Sequence, residues 1–203
     1  MSRSASPPPV RVRYTFEPLT PGRWQDLEEL FGARGACGGC WCMAWRLAPR
    51  VFRAGKGEGN RNALRALVQV GPPPGVLAYV GKAAVGWCAV APRSEYPRLA
   101  NSRVLAPVDG RPVWSVSCLF VTQSHRRKGL SALLLRAAAE LAFSQGAEIV
   151  EGYPTDPGGK DMPAPFVWTG LPSAFAKAGF SEVARRSETR PIMRKPFQTM
   201  SEG

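Results

Sequence analysis

The sequence contains very little histidine, few acidic residues and no long apolar run. A single histidine, His125, stands among 203 residues, and 15 acidic residues face 27 basic ones. Because no apolar run approaches the roughly 18–20 residues that cross a bilayer, no membrane-spanning helix is expected. The N-terminal MSRSASPPP has no apolar segment behind its early arginine, so we expect no secretory signal. The five cysteines, an odd number, are therefore expected to be reduced thiols in a cytoplasm.

The bulk composition is that of an ordinary globular protein. Apolar residues make up 44% of the chain and charged residues 21%, and the length suits one domain with a single core. We predict one domain over residues 10–197, with a flexible tail at 1–9 and another at 198–203. The net charge of +12 favours polyanions: nucleic acid, anionic surfaces or a phosphorylated cofactor. Because there is no long basic arm, the charge indicates basic residues spread over the whole chain plus one local phosphate site.

The hydrophobic periodicity predicts an α/β fold. The strongest strand is predicted at 113–121, a helix with a continuous apolar stripe follows at 129–144, and another strand is predicted at 147–153. A strand, a helix and a strand in this order require a right-handed parallel crossover. Other segments predict a first strand at 10–16, a hairpin at 76–90, and two final strands after a short helix. The whole order predicts a mixed sheet with helices on both faces.

The turn between the strongest strand and the strongest helix carries the main chemical signal. It reads Ser-His-Arg-Arg-Lys-Gly-Leu-Ser over residues 124–131. A helix N-terminus offers unpaired N–H groups and the positive end of the helix dipole, which together bind phosphate. Gly129 permits a tight turn, and Arg126, Arg127 and Lys128 add positive charge around it. The turn predicts a phosphate site; the alternative is a solvated basic turn that contains a glycine.

The segment from Arg126 to Ser131 resembles the acetyl-CoA signature of the GNAT superfamily, Arg/Gln-x-x-Gly-x-Gly/Ala. Arg126 and Gly129 match it, and Ser131 replaces the small last residue. The Leu-Phe-Val stretch at 119–121 is similar to the family's cofactor-contacting strand, and 175–180 resembles its late helix, which ends in Gly-Phe. The resemblance implies a GNAT-like acyl-CoA N-acyltransferase fold. In that fold a central twisted, mostly antiparallel sheet has one splayed parallel strand pair and helices on both faces.

The same resemblance implies a reaction. An N-acetyltransferase of this kind moves an acetyl group from acetyl-CoA, its co-substrate, directly to an amine in a ternary complex. Backbone N–H groups of the turn, up to Leu130 and Ser131, would bind the pyrophosphate. The main chain of Leu119, Phe120 and Val121 would pair with the pantetheine arm, and an N–H near Val121 would polarise the acetyl carbonyl.

Two residues near the end of the 147–153 strand are candidates for proton transfer. The acceptor amine must be neutral to attack, and Glu151 is the leading candidate for a base. The alternative for Glu151 is an ordinary surface or salt-bridged carboxylate. The family often has a tyrosine acid four residues before the late glycine, and this chain has Phe175 there. Tyr153 and Ser173 are the nearest substitutes; the other alternative is that solvent protonates the thiolate.

A stretch rich in cysteine and tryptophan, residues 37–45, is predicted to cover the acceptor pocket. In GNAT folds the region between the first two helices commonly shapes that pocket, so Trp41, Met43 and Trp45 would be its walls; the alternative is that they fill the core. No metal is expected, because a closed zinc site needs four ligands and there is no second cysteine pair. A redox cysteine pair would lack its usual strand-then-helix setting. Further candidate acceptor contacts lie in two flanking loops: Tyr96, Arg98, Asp109, Asp156 and Lys160.

The expected acceptor is a small-molecule or protein amine. One alternative keeps the fold but uses another acyl donor, such as an aminoacylated RNA. Two others are a non-catalytic module that binds CoA or nucleic acid, and a cysteine-based metal or redox sensor. Nucleic acid is the less favoured partner, and a homodimer is expected only by analogy with the fold.

Overall fold

Seven strands form one sheet in the computed structural model, which describes residues 12–159, 162–163 and 167–198. They are β1 (Thr15–Pro18), β2 (Gly75–Val80), β3 (Ala83–Pro92), β4 (Trp114–Val121), β5 (Ile149–Gly152), β6 (Ser181–Arg185) and β7 (Pro191–Pro196). Their order across the sheet is β1-β2-β3-β4-β5-β7-β6. All neighbours are antiparallel except β4 and β5, which are parallel. This confirms the predicted mixed sheet with one parallel strand pair.

Helices cover both faces of the sheet, as predicted. They are α1 (Trp24–Phe31), α2 (Pro49–Ala54), α3 (Glu58–Val70), α4 (Pro97–Ala100), α5 (Leu130–Ser144) and α6 (Pro172–Lys177). The core on one face joins α1 and α3 to the side chains of Leu77, Trp87 and Cys118. The core on the other face joins α5 and α6 to Val116 and Leu119. Within the described residues, no helix has both the length and the apolar character that crossing a membrane requires.

The strongest sequence patterns give the best-placed elements. The hairpin of β2 and β3 turns at Gly81-Lys82, and the apolar stripe of α5 buries Leu130, Leu134 and Ala138. Gly146, with a φ of +85°, lets the chain leave α5 in a left-handed conformation that other residues rarely adopt. The parallel crossover through α5 therefore lies where the sequence predicted it.

Other boundaries differ from the prediction. The first strand begins at Thr15 rather than at 10, and β5 is shorter than the predicted 147–153. Two short helices, α2 and α4, occupy segments predicted as irregular; each begins with a proline at its first position, where the missing N–H costs nothing. The tail at 1–9, all of the C-terminal tail except its first residue, and Lys160 lie outside the described residues.

Candidate active site

The parallel pair of strands separates soon after it forms. Strand β5 pairs with β4 at three positions only, ending with Val116 opposite Gly152. Strand β4 continues to Val121, so its last five residues have no partner strand on that side. Close packing fixes the point of separation, because a Cβ at Gly152 would lie 2.1 Å from the ring of Phe175. The result is a notch along the second half of β4.

The main chain of β4 is partly available along this notch. Thr122 N donates to Val85 O on β3, so the N–H of the preceding residue, Val121, points to the opposite, open side. No acceptor for Val121 N–H is present among the described residues. Leu119 N–H faces the same side, but it donates to Trp168 O at 2.7 Å. One of the two predicted pantetheine-pairing positions is thus open and the other is already bonded within the chain.

The turn before α5 presents a run of free amides. Arg127 and Gly129 both have positive φ, +58° and +80°, and these two conformations turn the chain into the first turn of α5. In the part of the chain described, no group accepts from the N–H groups of Arg127 to Ser131, and no side chain caps the helix. A Cβ at Gly129 would meet no atom within 4 Å, so the turn faces open space. Five consecutive donors at a helix N-terminus form a favourable anion site.

The basic side chains of this turn are exposed, and one of them touches β4. Arg126, Arg127 and Lys128 all face solvent, and Arg126 Nε donates to Val121 O at 3.0 Å. Arg126 therefore links the turn to the open end of the strand. His125 is held away from this point, because its Nδ1 lies 3.1 Å from the hydroxyl of Tyr14. Nothing in the geometry gives His125 a role in proton transfer at the notch.

A cavity of about 470 Å³ connects the turn with the notch. Its walls come from the end of β4, from the stretch rich in cysteine and tryptophan at 37–45, here called the cysteine-rich loop, with the residues just before it, and from the segment leading into α6. These walls are mainly apolar. The lining includes Cys118, Leu119, Phe120, Val121, Arg126 and Ser131 on the predicted cofactor side, and Ala36, Cys37, Cys40, Cys42, Ala44, Phe52, Trp168 and Leu171 elsewhere.

The cysteine-rich loop borders this cavity, but not through the residues predicted as walls. Trp41 and Met43 are buried in the core, where Trp41 stacks on Trp24 with 6.1 Å between ring centroids. Trp45 lies to one side, with its ring centroid 5.8 Å from that of Trp168. The core-filling alternative therefore describes Trp41 and Met43. Because large and small residues alternate in this loop, the sequence did not indicate which side chains would pack into the core and which would line the cavity.

Glu151 is fully buried in a charge network. Its Oε2 accepts from Arg194 Nε at 2.7 Å, and its Oε1 accepts from Arg93 at 3.2 Å and from Tyr153 Oη at 2.6 Å. Arg194 also pairs with Asp109, at 2.6 Å. This is the salt-bridged alternative considered for Glu151. The carboxylate borders a second cavity, of about 560 Å³, and does not line the first; its role as a base stays a prediction.

Tyr153 belongs to the same network. Its hydroxyl lies 2.8 Å from Ser115 Oγ and also contacts Arg93. Burial, and then the charge of Glu151, raise the pKa of Tyr153 well above its ordinary value. A phenol that holds its proton so firmly is a poor acid toward a departing thiolate. Its role as an acid stays a prediction too, and the geometry supports a structural one.

The other predicted acceptor contacts lie around this network. Tyr96 is buried, burial raises its pKa to about 12, and its ring packs under Arg46. Arg98 donates to Ala44 O and lies over the ring of Trp45. Asp156 pairs with Arg185 at 2.8 Å. None of Tyr96, Arg98 and Asp156 lines the first cavity, so the structure does not bring these predicted contacts to it.

Phe175 occupies the core rather than the notch. Its side chain is fully buried and packs edge-on against Phe180 at 5.1 Å. A Cβ at Gly170 would lie 2.9 Å from its ring, which shows how closely the surrounding chain fits. The ring is thus enclosed by the chain around Gly152 and Gly170.

Comparison with known proteins agrees with this geometry. The model of the acetyltransferase (GNAT) family matches residues 41–157. An acetyltransferase of the GNAT family from Streptococcus agalactiae is similar, with a TM-score of 0.54, 11% identity, and 92% of this chain and 96% of that chain covered. The protein yncA from Salmonella typhimurium, solved with its cofactor acetyl-CoA, is similar with a TM-score of 0.51 and 13% identity, and the match covers 93% of this chain and 96% of that chain. At such identities these structures share the fold alone. No curated protein sequence gives a significant match.

Proposed function

This chain belongs to the GNAT acetyltransferase family, and from that premise we propose that it transfers an acetyl group from acetyl-CoA directly to an amine. The acetyl donor and the amine would be bound together, so that no acyl-enzyme forms. The acceptor would be a small molecule or a protein side chain.

The free amides of the turn carry the proposal. Five consecutive N–H groups, from Arg127 to Ser131, lack acceptors in the described part of the chain and face open space. Unpaired donors at a helix N-terminus bind phosphate through direct hydrogen bonds and through the helix dipole. Three exposed cations stand around them. A diphosphate therefore fits this turn in both hydrogen bonding and charge.

The open end of β4 would hold the rest of the donor. Val121 offers one N–H toward the notch, and a donor in a mainly apolar cavity stabilises a developing oxyanion more strongly than it would in water. Leu119 does not share this role in the structure, because its N–H is bonded to Trp168 O. Acetyl-CoA supplies an activated thioester, and the chain's contribution is to position it and to exclude water.

The acceptor would enter beside the cysteine-rich loop. Cys37 is exposed at the cavity edge, while Ala36, Ala44 and Phe52 supply apolar surface. Among the described lining residues there is no carboxylate, so the cavity offers no counter-ion to an ammonium group. An amine that is neutral near physiological pH would therefore be bound better than a strongly basic one. Solvent would protonate the departing thiolate, since the thiol is acidic enough to leave unaided.

Two measurements on the purified protein test this function. A thermal-shift screen with CoA and acetyl-CoA measures donor binding, and a ligand that binds only the folded state raises the melting temperature. Release of free thiol from acetyl-CoA is then followed with a panel of amines of graded basicity. We expect stabilisation by both ligands and amine-dependent thiol release. Stabilisation without release for any amine would indicate a binding module, and no stabilisation by either ligand would contradict the donor assignment.

A further inference from the structure

Thiols converge on the cavity from two distant parts of the chain. Cys42 Sγ lies 3.0 Å from Cys118 Sγ, although 76 positions separate the two residues in sequence. Cys40 neighbours Cys42 and donates to Gly35 O at 3.6 Å. All three line the cavity beside the open end of β4, and the exposed Cys37 lines its outer part.

An unusual backbone holds Cys42 against β4. Trp41 and Cys42 both have positive φ, +43° and +55°, a conformation that costs energy for residues other than glycine. The packing enforces it, because a Cβ at Gly35 would lie 2.2 Å from the Trp41 ring. Strain of this kind persists only where surrounding contacts fix the chain, and it is concentrated at functional sites. The loop thus presents the Cys42 thiol to Cys118 rather than to solvent.

The fifth cysteine shows what an ordinary core thiol looks like in this protein. Cys88 is fully buried within the core on the α5 face and does not line the cavity. Among the described residues, no thiol makes a hydrogen-bond contact with it. Cys42 and Cys118 differ from it in having each other as neighbours and in bordering a space that small molecules can enter.

We propose that Cys42 and Cys118 are an oxidisable pair, joined as a disulfide by hydroperoxides that enter the cavity. A disulfide bond needs about 2.05 Å between sulfurs, so the two sulfurs would have to approach by about 1 Å from the present contact. One thiolate attacks the distal oxygen of the peroxide, giving a sulfenic acid and releasing hydroxide, which takes up a proton. The second thiol then displaces water from the sulfenic sulfur. In total two thiols and hydrogen peroxide give one disulfide and two water molecules.

The bond would change the wall of the candidate active site. It would fix the cysteine-rich loop to β4 next to Leu119, and it would close a loop of 76 residues, which stabilises the folded state. The hydrogen bond with Cys118, and after it burial, raise the pKa of Cys42 well above its ordinary value. The thiolate fraction at neutral pH is therefore small, and the pair would respond to sustained rather than brief exposure. Formation of the bond does not depend on the proposed acetyl transfer.

Intact-mass measurement and peptide mapping test the pair without any enzyme assay. The reduced, full-length protein is incubated with hydrogen peroxide at mildly alkaline pH, and remaining thiols are blocked before analysis. We expect the loss of two hydrogen atoms in mass, a linked peptide containing Cys42 and Cys118, and a melting temperature raised by several degrees. A reducing agent should reverse all three changes.

Matched alanine variants identify the sulfurs. Cys42→Ala and Cys118→Ala should both abolish the linked peptide and the rise in melting temperature, whereas Cys88→Ala and Cys40→Ala should retain them. If the variants fail to fold, the disulfide-linked peptide from the oxidised wild-type protein still identifies the two cysteines. A wild-type protein that stays reduced, gains only oxygen atoms, or yields a disulfide between other cysteines would overturn the assignment.

Discussion

At the scale of single residues, Glu151 is a carboxylate fully buried among charged partners. Glu151 has both carboxylate oxygens bonded, and its partners Arg93 and Arg194 are themselves largely buried. The cavity is bordered by main-chain amides, thiols, apolar side chains and one cation, Arg126. For the proposed reaction, positioning and an oxyanion contact would be enough if the amine arrives neutral.

Replacing Glu151 with glutamine separates the structural role from the catalytic one. Arg93 would lose its carboxylate partner and Arg194 one of its two, so we expect a loss of about 3 kcal/mol in the free energy of unfolding. The pH dependence of kcat/KM should be unchanged. Denaturant titration and pH-rate profiles measure the two effects.

The control for this substitution is Glu148→Gln. Glu148 is exposed and lies 3.5 Å from Arg111, so its loss should change neither quantity measurably. If Glu151→Gln keeps its stability but loses about 100-fold or more in kcat/KM, Glu151 is the base after all.

At the scale of elements, the second half of β4 and the turn before α5 would position the proposed donor. One edge of β4 is paired with β3, while the other has an open N–H at Val121 and a bonded one at Leu119. The segment that bonds Leu119 is itself anchored, because Arg190 donates to the hydroxyls of Thr155 and Thr169. The notch is thus bounded on one side by a strand and on the other by a tethered loop.

Hydrogen exchange measures these elements one amide at a time. In the free protein the Leu119 amide should exchange slowly and the Val121 amide faster, because only the former is bonded. Acetyl-CoA should slow exchange at Val121 and across residues 127–131, and should leave the amide of Gly146, at the far end of α5, unchanged. Protection by acetyl-CoA confined to other regions would show that the donor lies elsewhere.

Elements with strong hydrophobic periodicity could be predicted from the sequence, whereas the loop conformations could not. Residues 113–153 predicted β4, α5 and β5, because a short strand rich in apolar residues and a helical apolar stripe each have few alternative structures. The cysteine-rich loop borders the cavity, but Trp41 and Met43 pack into the core, and the cysteine side chains line the cavity instead. Four residues of that loop, Gly38, Gly39, Trp41 and Cys42, have positive φ, so its side chains follow no helical or strand period. The contact of Trp168 with Leu119 had no local signal at all.

At the scale of the whole molecule, the positive charge is distributed unevenly between paired and free groups. Many carboxylates are engaged by arginines, as in the pairs Glu17–Arg23, Glu28–Arg61 and Glu95–Arg46. The cations of the turn before α5 have no ion-pair partner among the described residues. These unpaired cations, within a chain of net charge +12, would attract a phosphorylated ligand to the turn, and salt should weaken its binding.

The paired carboxylates also predict how stability responds to acid. The hydrogen bond from Arg194 lowers the pKa of Asp109, and bonds from Gly158 and Arg185 lower that of Asp156. A carboxyl group whose pKa is lower in the folded than in the unfolded state stabilises the fold. Its full contribution is present at pH values above the unfolded pKa of 3.8 and is lost as the pH falls through the lower folded pKa. The melting temperature should be level at higher pH and should fall once the pH drops below about 4.

Calorimetric melting temperatures across this range check the acid response. Asp156→Asn should make the fall shallower, while Glu29→Gln, which removes an exposed carboxylate outside the arginine pairs, should leave it unchanged. An identical acid response in Asp156→Asn and the wild-type protein would show that these pairs do not contribute.

The most direct test of the diphosphate site compares two glycines at opposite ends of α5. Gly129 and Gly146 both have positive φ, +80° and +85°, and a Cβ at either would meet no atom within 4 Å. Gly129→Asp and Gly146→Asp therefore carry the same backbone cost, about 1–2 kcal/mol, and the same added charge. Calorimetric titration with acetyl-CoA should show binding weakened by about tenfold or more in Gly129→Asp and nearly unchanged in Gly146→Asp. Equal affinity in the two variants would contradict a diphosphate held by the amides at the start of α5.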